Sequence, residues 1–244
     1  MTSLIYRALT VFASACFLCF QTSVCNAQTL DLDAIEDTTI YSNVVDNNGG
    51  GHVFNIAGTA NNGNERRSLL RFDLAGIAPG STVNSASLDL DITQVGNTGG
   101  VFQLFRLDTD WGEGSGVGNQ GAAALAGEAT WNSAEFGSVD WATPGGSFFP
   151  QLLSEVSITS TGVSSFSSSD NFIDAIQSIV DDPTQNFGFL ISSSSGNGSA
   201  IRIGSREGGS AASLSVDFTA IPEPTGISIL ALSLAGLCLR RSKA

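Results

Sequence analysis

The sequence predicts an all-β, antiparallel β-sandwich with one short amphipathic helix, on three observations. Short apolar stretches recur between residues that favour turns, which is the pattern of a sandwich and not of a helical protein. In the clearest stretch Val83, Ala86, Leu88, Leu90 and Ile92 interleave with Ser85, Ser87, Asp89 and Asp91, so that one face is dry and Asp89 and Asp91 point outward together. One other segment, and only one, carries apolar residues at helical spacing.

In chain order, Arg7 precedes an apolar stretch over 8–20, then Gln21, Thr22 and Ser23, then Cys25-Asn26-Ala27. A basic start, an apolar centre and small residues at a cleavage point read as an export signal, so residues 1–27 are a signal peptide cut after Ala27. The rival reading, a lipidation box at Ala13-Ser14-Ala15-Cys16, lacks the leading Leu and leaves a very short apolar stretch. The body, 28–220, offers nine strands at 38–42, 53–56, 67–74, 83–93, 101–107, 154–158, 187–192, 200–204 and 213–219, enough for two sheets. Ala78-Pro79-Gly80-Ser81 and Gly49-Gly50-Gly51 are turns, because Pro fixes φ and Gly admits positive φ. Over 170–182, Phe172, Ile173, Ile176, Ile179 and Val180 define a helix that Ser169 or Asp170 caps and Pro183 stops. It closes one end of the sandwich, packing on the core in preference to a partner.

The middle, 108–150, is glycine-rich and holds Trp111, Trp131 and Trp141. A stretch so long with little regular structure is functional or disordered, and the tryptophans argue against disorder. At the far end, Pro222-Glu223-Pro224 leads into an apolar run over 226–239, followed by Arg240, Arg241 and Lys243. Those 14 residues are short of the roughly 20 that span a bilayer, and the terminal bases stay cytoplasmic, leaving the body outside. Residues 221–244 resemble a PEP-CTERM sorting signal. The resemblance implies processing by an exosortase at the inner membrane of Gram-negative bacteria, transient anchoring through the C-terminal hydrophobic helix, and delivery to the cell surface or extracellular matrix.

All four cysteines, Cys16, Cys19, Cys25 and Cys238, sit in these ends; a body of about 190 residues buries a sufficient core without disulfides. The body keeps six arginines, no lysine and 22 of the 23 acidic residues, a formal charge near −16. Such a surface repels nucleic acid and anionic lipid, and it attracts calcium or basic partners when it does more than confer solubility.

Several phrases in order resemble the DNRLRE-domain proteins, a group that includes carbohydrate-binding modules. They are Asp37-Thr38-Thr39-Ile40-Tyr41, Arg66 to Leu74, Arg106-Leu107, Trp111-Gly112-Glu113-Gly114, Ala129-Thr130-Trp131, Trp141 with the 144–148 stretch, the 186–189 stretch and Ser205-Arg206-Glu207. The match runs from about Asp31 to Thr219 and implies a jelly-roll-like sandwich, with polysaccharide binding shown for some relatives. Similar sequences often carry Asp where this one has Ser147, so a metal or sugar site using that carboxylate is weakened or lost here.

Sugar binding needs exposed aromatic faces and polar partners, and Trp111, Trp131 and Trp141 with Arg106, Asp110 and Glu113 supply both, unless the tryptophans fill the core beneath the long loop. Arg66, Arg67, Arg71 and Arg206 either grip an acidic glycan or bridge Asp73 and Glu207. Oxygen ligands in the turns at Asp46-Asn47-Asn48-Gly49 and Asp108-Thr109-Asp110 make Asp46, Asp108 and Asp110 the calcium candidates, against a reading as ordinary solvated turns. His52 is the body's one histidine, which leaves out a Ser-His-acid triad and the common zinc sets. Gly116-Val117-Gly118-Asn119-Gln120-Gly121 matches a dinucleotide fingerprint by letters alone, without a strand before it or a helix after it. The expected function is a non-catalytic module that binds or organises extracellular polysaccharide; the alternatives are a polysaccharide-degrading enzyme using a carboxylate pair and a purely structural matrix protein.

Overall fold

A strand with one dry face needs a second sheet to cover it. The computed structural model describes residues 26–221, with Ala27–Thr219 forming one unit. Residues 1–25 of the expected signal peptide, and 222–244 of the expected sorting segment with Pro222, Glu223 and Pro224, lie outside the described residues, while Ala27, the expected cleavage point, is the first residue of the first strand.

The strands are β1 (Ala27–Asp33), β2 (Glu36–Tyr41), β3 (Asn47–Asn48), β4 (Phe54–Thr59), β5 (Glu65–Arg71), β6 (Thr82–Val95), β7 (Gly100–Arg106), β8 (Ala122–Ala123), β9 (Ser133–Glu135), β10 (Val139–Asp140), β11 (Ser154–Ile158), β12 (Gly162–Phe166), β13 (Phe189–Ser193), β14 (Ile201–Gly204) and β15 (Ser213–Thr219). The helix α1 (Asp170–Asp181) is followed by a 3₁₀ turn at Pro183–Gln185. The described chain is the all-β antiparallel sandwich that the alternation predicts.

The long alternating strand β6 organises one sheet. It pairs β12 along one edge through 88–92. Along the other it pairs β15 through 82–89 and β14 through 92–95, so β14 and β15 share one track with 205–212 looped out between them. β1 borders β15, and β4 borders β14. The second sheet centres on β5, flanked by β2 and β13, and extends through β7 to β11 and through β3 to β8. β4 joins both sheets: 54–57 pair β14, whereas Gly58 and Thr59 pair β5. The change of partner falls at Gly58, whose φ of 100° suits glycine, and a Cβ there would lie 3.0 Å from the Cα of Ala200.

Between the sheets lie Leu88, Leu90, Ile92, Leu214 and Val216 from one and Leu70, Phe102, Leu104, Phe189 and Ile191 from the other, all buried. On the outer face of β6, Asp89 is exposed and Asp91 half-buried. The helix forms where its spacing predicts. Ser169 is the cap, accepting from the Phe172 N–H at 3.1 Å while its hydroxyl donates to the Leu153 carbonyl. Phe172, Ala175, Ile176, Ile179 and Val180 turn inward, Phe172 meeting Phe189 edge-on at 5.8 Å between ring centroids. Gln177 fixes the helix to β6 and the turn before it, accepting from the Val83 N–H and donating to the Ser81 carbonyl, at 2.8 and 2.9 Å.

Six strands lie outside the nine that the sequence names: β3, β8, β9 and β10 are two or three residues long, and β1 and β12 carry too little apolar signal. In β12 only Phe166 is buried, and β1 is largely exposed along an edge. Both are held by backbone pairing to β6 and β15.

Removing the Phe172 ring leaves a cavity that the surrounding strands cannot close. Phe172→Ala is expected to cost about 3–5 kcal/mol, read as a lower urea midpoint with an unchanged slope.

Candidate functional site

The 108–150 segment is anchored in the core by two of its tryptophans, which form no exposed platform. Trp111 and Trp141 are 3% and 5% exposed and cluster with Ile40, Leu69, Leu107 and Leu190. Their indole N–H groups donate to the carbonyls of Phe187 and Thr130, at 2.8 and 2.9 Å. Sugar stacking at these two rings is therefore corrected: a ring face already covered by protein cannot receive a pyranose. Trp131 is partly buried, and the Arg67 guanidinium lies over it, 5.1 Å from the ring centroid. Ser147 is buried and accepts from the Ala142 N–H at 2.7 Å, a structural role that needs no carboxylate.

What holds this segment down is the side chain of Asn48, itself fully buried in β3. Its amide nitrogen donates to Glu113 O (2.7 Å), Ala129 O (2.8 Å) and Thr38 Oγ1 (3.0 Å), one hydrogen being shared. Its oxygen accepts from the Gly50 N–H at 2.8 Å. Gly116 is required beside it, since a Cβ there would lie 1.8 Å from the Asn48 carbonyl oxygen. Gly116 and Gly121 thus serve close backbone approach to Asn48, and the next element is the short strand β8, not the helix that a dinucleotide loop needs.

The arginines divide into two groups. Arg67 pairs Glu65 at 2.8 Å, Arg71 pairs Glu36 and Asp110 at 3.0 and 2.6 Å, and Arg206 pairs Glu113 and Glu207 at 2.6 and 3.0 Å. Asp73 instead accepts from the Ala75 N–H at 2.9 Å. Among the described residues Arg66, Arg106 and Arg202 form no ion pair with a carboxylate, and Arg66 and Arg202 lie together. Arg66 and Arg202 line one open cleft of about 220 Å³ with Ile56, Gln94 and Asn119. Arg202 donates to Asn119 Oδ1 at 3.0 Å and lies 4.2 Å over the Phe54 ring. Burial pulls the Arg66 guanidinium below its ordinary pKa, with Tyr41 opposing.

A second open cleft, about 250 Å³, lies beside α1 and is lined by Arg106, Phe149, Gln151, Leu153, Asn171 and Asp174. Phe149 is 44% exposed, and Arg106 sits 5.2 Å from its ring centroid. Arg106 is held by Ser178 Oγ at 2.9 Å and the Gln185 carbonyl at 3.2 Å. Of the residues expected to bind sugar, Arg106 alone lines this cleft. The exposed aromatic there is Phe149, which the sequence does not distinguish from its neighbour Phe148, packed against the core.

The three calcium candidates do not converge. Asp46 is exposed, Asp108 accepts from its neighbour Thr109 at 2.8 Å, and Asp110 is taken by Arg71. Among the described residues the carboxylates that do converge are Asp37, Glu113 and Glu207, one oxygen of each lying within 4.8 Å of the others. Asp37 is fully buried in β2; its Oδ2 accepts from the Arg206 N–H at 2.8 Å, and its own N–H donates to Glu113 Oε1 at 2.8 Å. Desolvation pushes the Asp37 pKa up, against the Asn55 amide and the Arg206 N–H; it raises Glu113 likewise, against the Asp37 N–H and Arg206. Asn55 faces Asp37 outside good hydrogen-bond geometry, so Asp37 Oδ1 and Asn55 Nδ2 both lack a partner.

No protein-family model matches the chain, and no curated protein matches it. Among the described residues no helix is long and apolar enough to cross a membrane.

Asn48→Ala removes four bonds from one buried point and is expected to cost on the order of 3 kcal/mol in urea unfolding. Tyr41, beside the same segment, is buried, which pushes its phenol from 10.0 to about 12. Because the folded state holds the proton longer than the unfolded one, its contribution to stability is complete below pH 10 and falls away toward pH 12. Phenolate absorbance of the folded protein should show Tyr41 ionising late.

Proposed function

We propose that the chain is an exported, surface- or matrix-associated module that binds extracellular polysaccharide without catalysing a reaction on it. The observation that carries this reading is the Phe149 cleft: an exposed aromatic ring bordered by Gln151, Asn171 and Asp174 and by an arginine fixed at both ends of its guanidinium. A pyranose laid on Phe149 places its C–H groups on the ring and its hydroxyls toward the amides and carboxylate. The cleft is smaller than the roughly 300–1,000 Å³ of enclosed small-molecule sites, which suits a polymer contacted along one side. Arg66 and Arg202, unpaired in a body of such negative charge, favour a polymer that carries carboxylate or sulfate groups.

The module reading is further supported by the order of DNRLRE-like phrases, and export and surface sorting by the basic-apolar start and the PEP-CTERM-like end with its exosortase partner. A carboxylate-pair enzyme is less well supported. Asp37 is shielded from solvent and Glu113 is engaged by Arg206, which leaves that pair unfit as a substrate-facing acid and base.

The test is retention of the full chain on neutral and acidic polysaccharides, with and without calcium. Phe149→Ala should weaken retention about three- to tenfold, and Arg202→Gln should remove the salt-sensitive part of binding to acidic polymers. No retention on any polymer refutes the reading.

A further inference from the structure

The geometry points to a site for one tetrahedral oxyanion, sulfate or phosphate, between Arg66 and Arg202 in the cleft where β4 changes sheets. It deepens the polysaccharide reading, on which it then rests, where a polymer carries the anion, and it needs no polymer where the anion is free.

The strand register builds the site. Arg202 on β14 stands opposite Ile56 of β4 on one side and Gln94 of β6 on the other. Arg66 on β5 stands opposite Gly58, two residues further along β4. Directly paired residues share a face, as do residues two apart on a strand, so two guanidiniums and a carboxamide are gathered around Ile56. Gly58 has no side chain with which to close the space. Asn119 reaches the same cleft from the glycine-rich loop.

Three independent observations call for an anion there. No acidic side chain lines the cleft, although the body has 22 acidic residues for six arginines. Two cations left without an acid amid such an excess of acids keep their charge for a group from outside. Arg66 Nε is shut off from solvent and has no hydrogen-bond partner. A half-buried guanidinium without an acceptor is costly, and an oxyanion on its outer nitrogens offsets that cost. The lowered pKa of Arg66 has the same cause.

The third observation is that Arg202 is already set in place. Its guanidinium lies 4.2 Å over the Phe54 ring, and its Nη2 donates to Asn119 Oδ1 at 3.0 Å. Phe54 is braced in turn by His52, with ring centroids 4.1 Å apart. Asn119 takes one of the five N–H donors of Arg202 and leaves the others for a ligand. Two positive charges match a dianion. Donors that converge from β5, β6 and β14 suit oxygens pointing in several directions, whereas the two coplanar oxygens of a carboxylate are saturated by one guanidinium.

The experiment follows the arginine Nε–H signals of the full chain by NMR, at constant ionic strength in chloride, as sodium sulfate, sodium phosphate or sodium acetate is added. Saturable shifts at Arg66 and Arg202 are expected with sulfate and phosphate, and acetate should bind about tenfold more weakly. Arg66→Gln and Arg202→Gln should each weaken sulfate binding about tenfold or more, the worth of a hydrogen bond to a charged group, read at the arginine that remains. Arg206→Gln removes the same charge from outside the cleft and should leave the affinity unchanged. Dextran sulfate then separates the sources. Competition stronger than that of inorganic sulfate, per sulfate group, upholds the site for a polymer-borne anion, and equal competition upholds it for the free one. Sulfate binding without retention of any polysaccharide upholds the site and refutes the polymer reading. No saturable shift, acetate binding as tightly as sulfate, affinity indifferent to both cleft variants, or an equal loss in Arg206→Gln each overturns the proposal.

Discussion

One buried amide decides how the rest of this protein is arranged. Asn48 sits on a two-residue strand between β2 and β8, and from there its side chain holds the carbonyls of Glu113 and Ala129, 65 and 81 residues away in sequence. A segment as glycine-rich as 108–150 has little to lose by fraying and much conformational entropy to spend on ordering. It folds because its polar backbone is answered inside the protein: Asn48 at one side, Glu128 accepting from Ser115 Oγ and the Leu125 N–H at another, and the β9–β10 hairpin beyond. The tryptophans then have a pocket to fill, and Arg67 and Arg71 lie across two of them.

Charge follows the same logic. In a body with 22 acidic residues and six arginines, the arginines are scarce, and where each one goes carries information. Arg67 and Arg71 hold the long loop to β5, and Arg206 joins the turn after β14 to Glu113. Arg106 braces the helix against the cleft beside Phe149. Only Arg66 and Arg202 face solvent space together without a carboxylate. A single Arg206 facing three carboxylates is the opposite case, an excess of negative charge drawn in by folding.

The fold was legible because its signals are local. Period-two alternation named β6, helical spacing with Ser169 and Pro183 named α1, and apolar clusters named most of the sheet. Edge strands such as β12 were invisible, since they are held by backbone pairing and bury almost nothing. The functional surface was harder. Trp111 and Trp141 looked like binding platforms because sequence shows that a residue is aromatic and not which way it faces. Asp37 was passed over inside an apolar phrase, although Glu113 and Glu207 were both in view: carboxylates that meet from β2, a mid-chain loop and a turn near the end of the body share no spacing that a sequence could display.

The claim on which the rest stands is that Trp111, Ala129 and Trp141 anchor the 108–150 segment in the core, so that a ligand meets its exposed rim at Phe149 and not the tryptophans. Native-state hydrogen exchange reads this directly through Gly112, Ala129 and Phe136, whose N–H groups donate to the carbonyls of Ala134, Gly112 and Glu128. The account predicts that these amides exchange as slowly as those of β5 and β13, through global unfolding. Exchange at the rate of an open loop while β5 and β13 stay protected would contradict it.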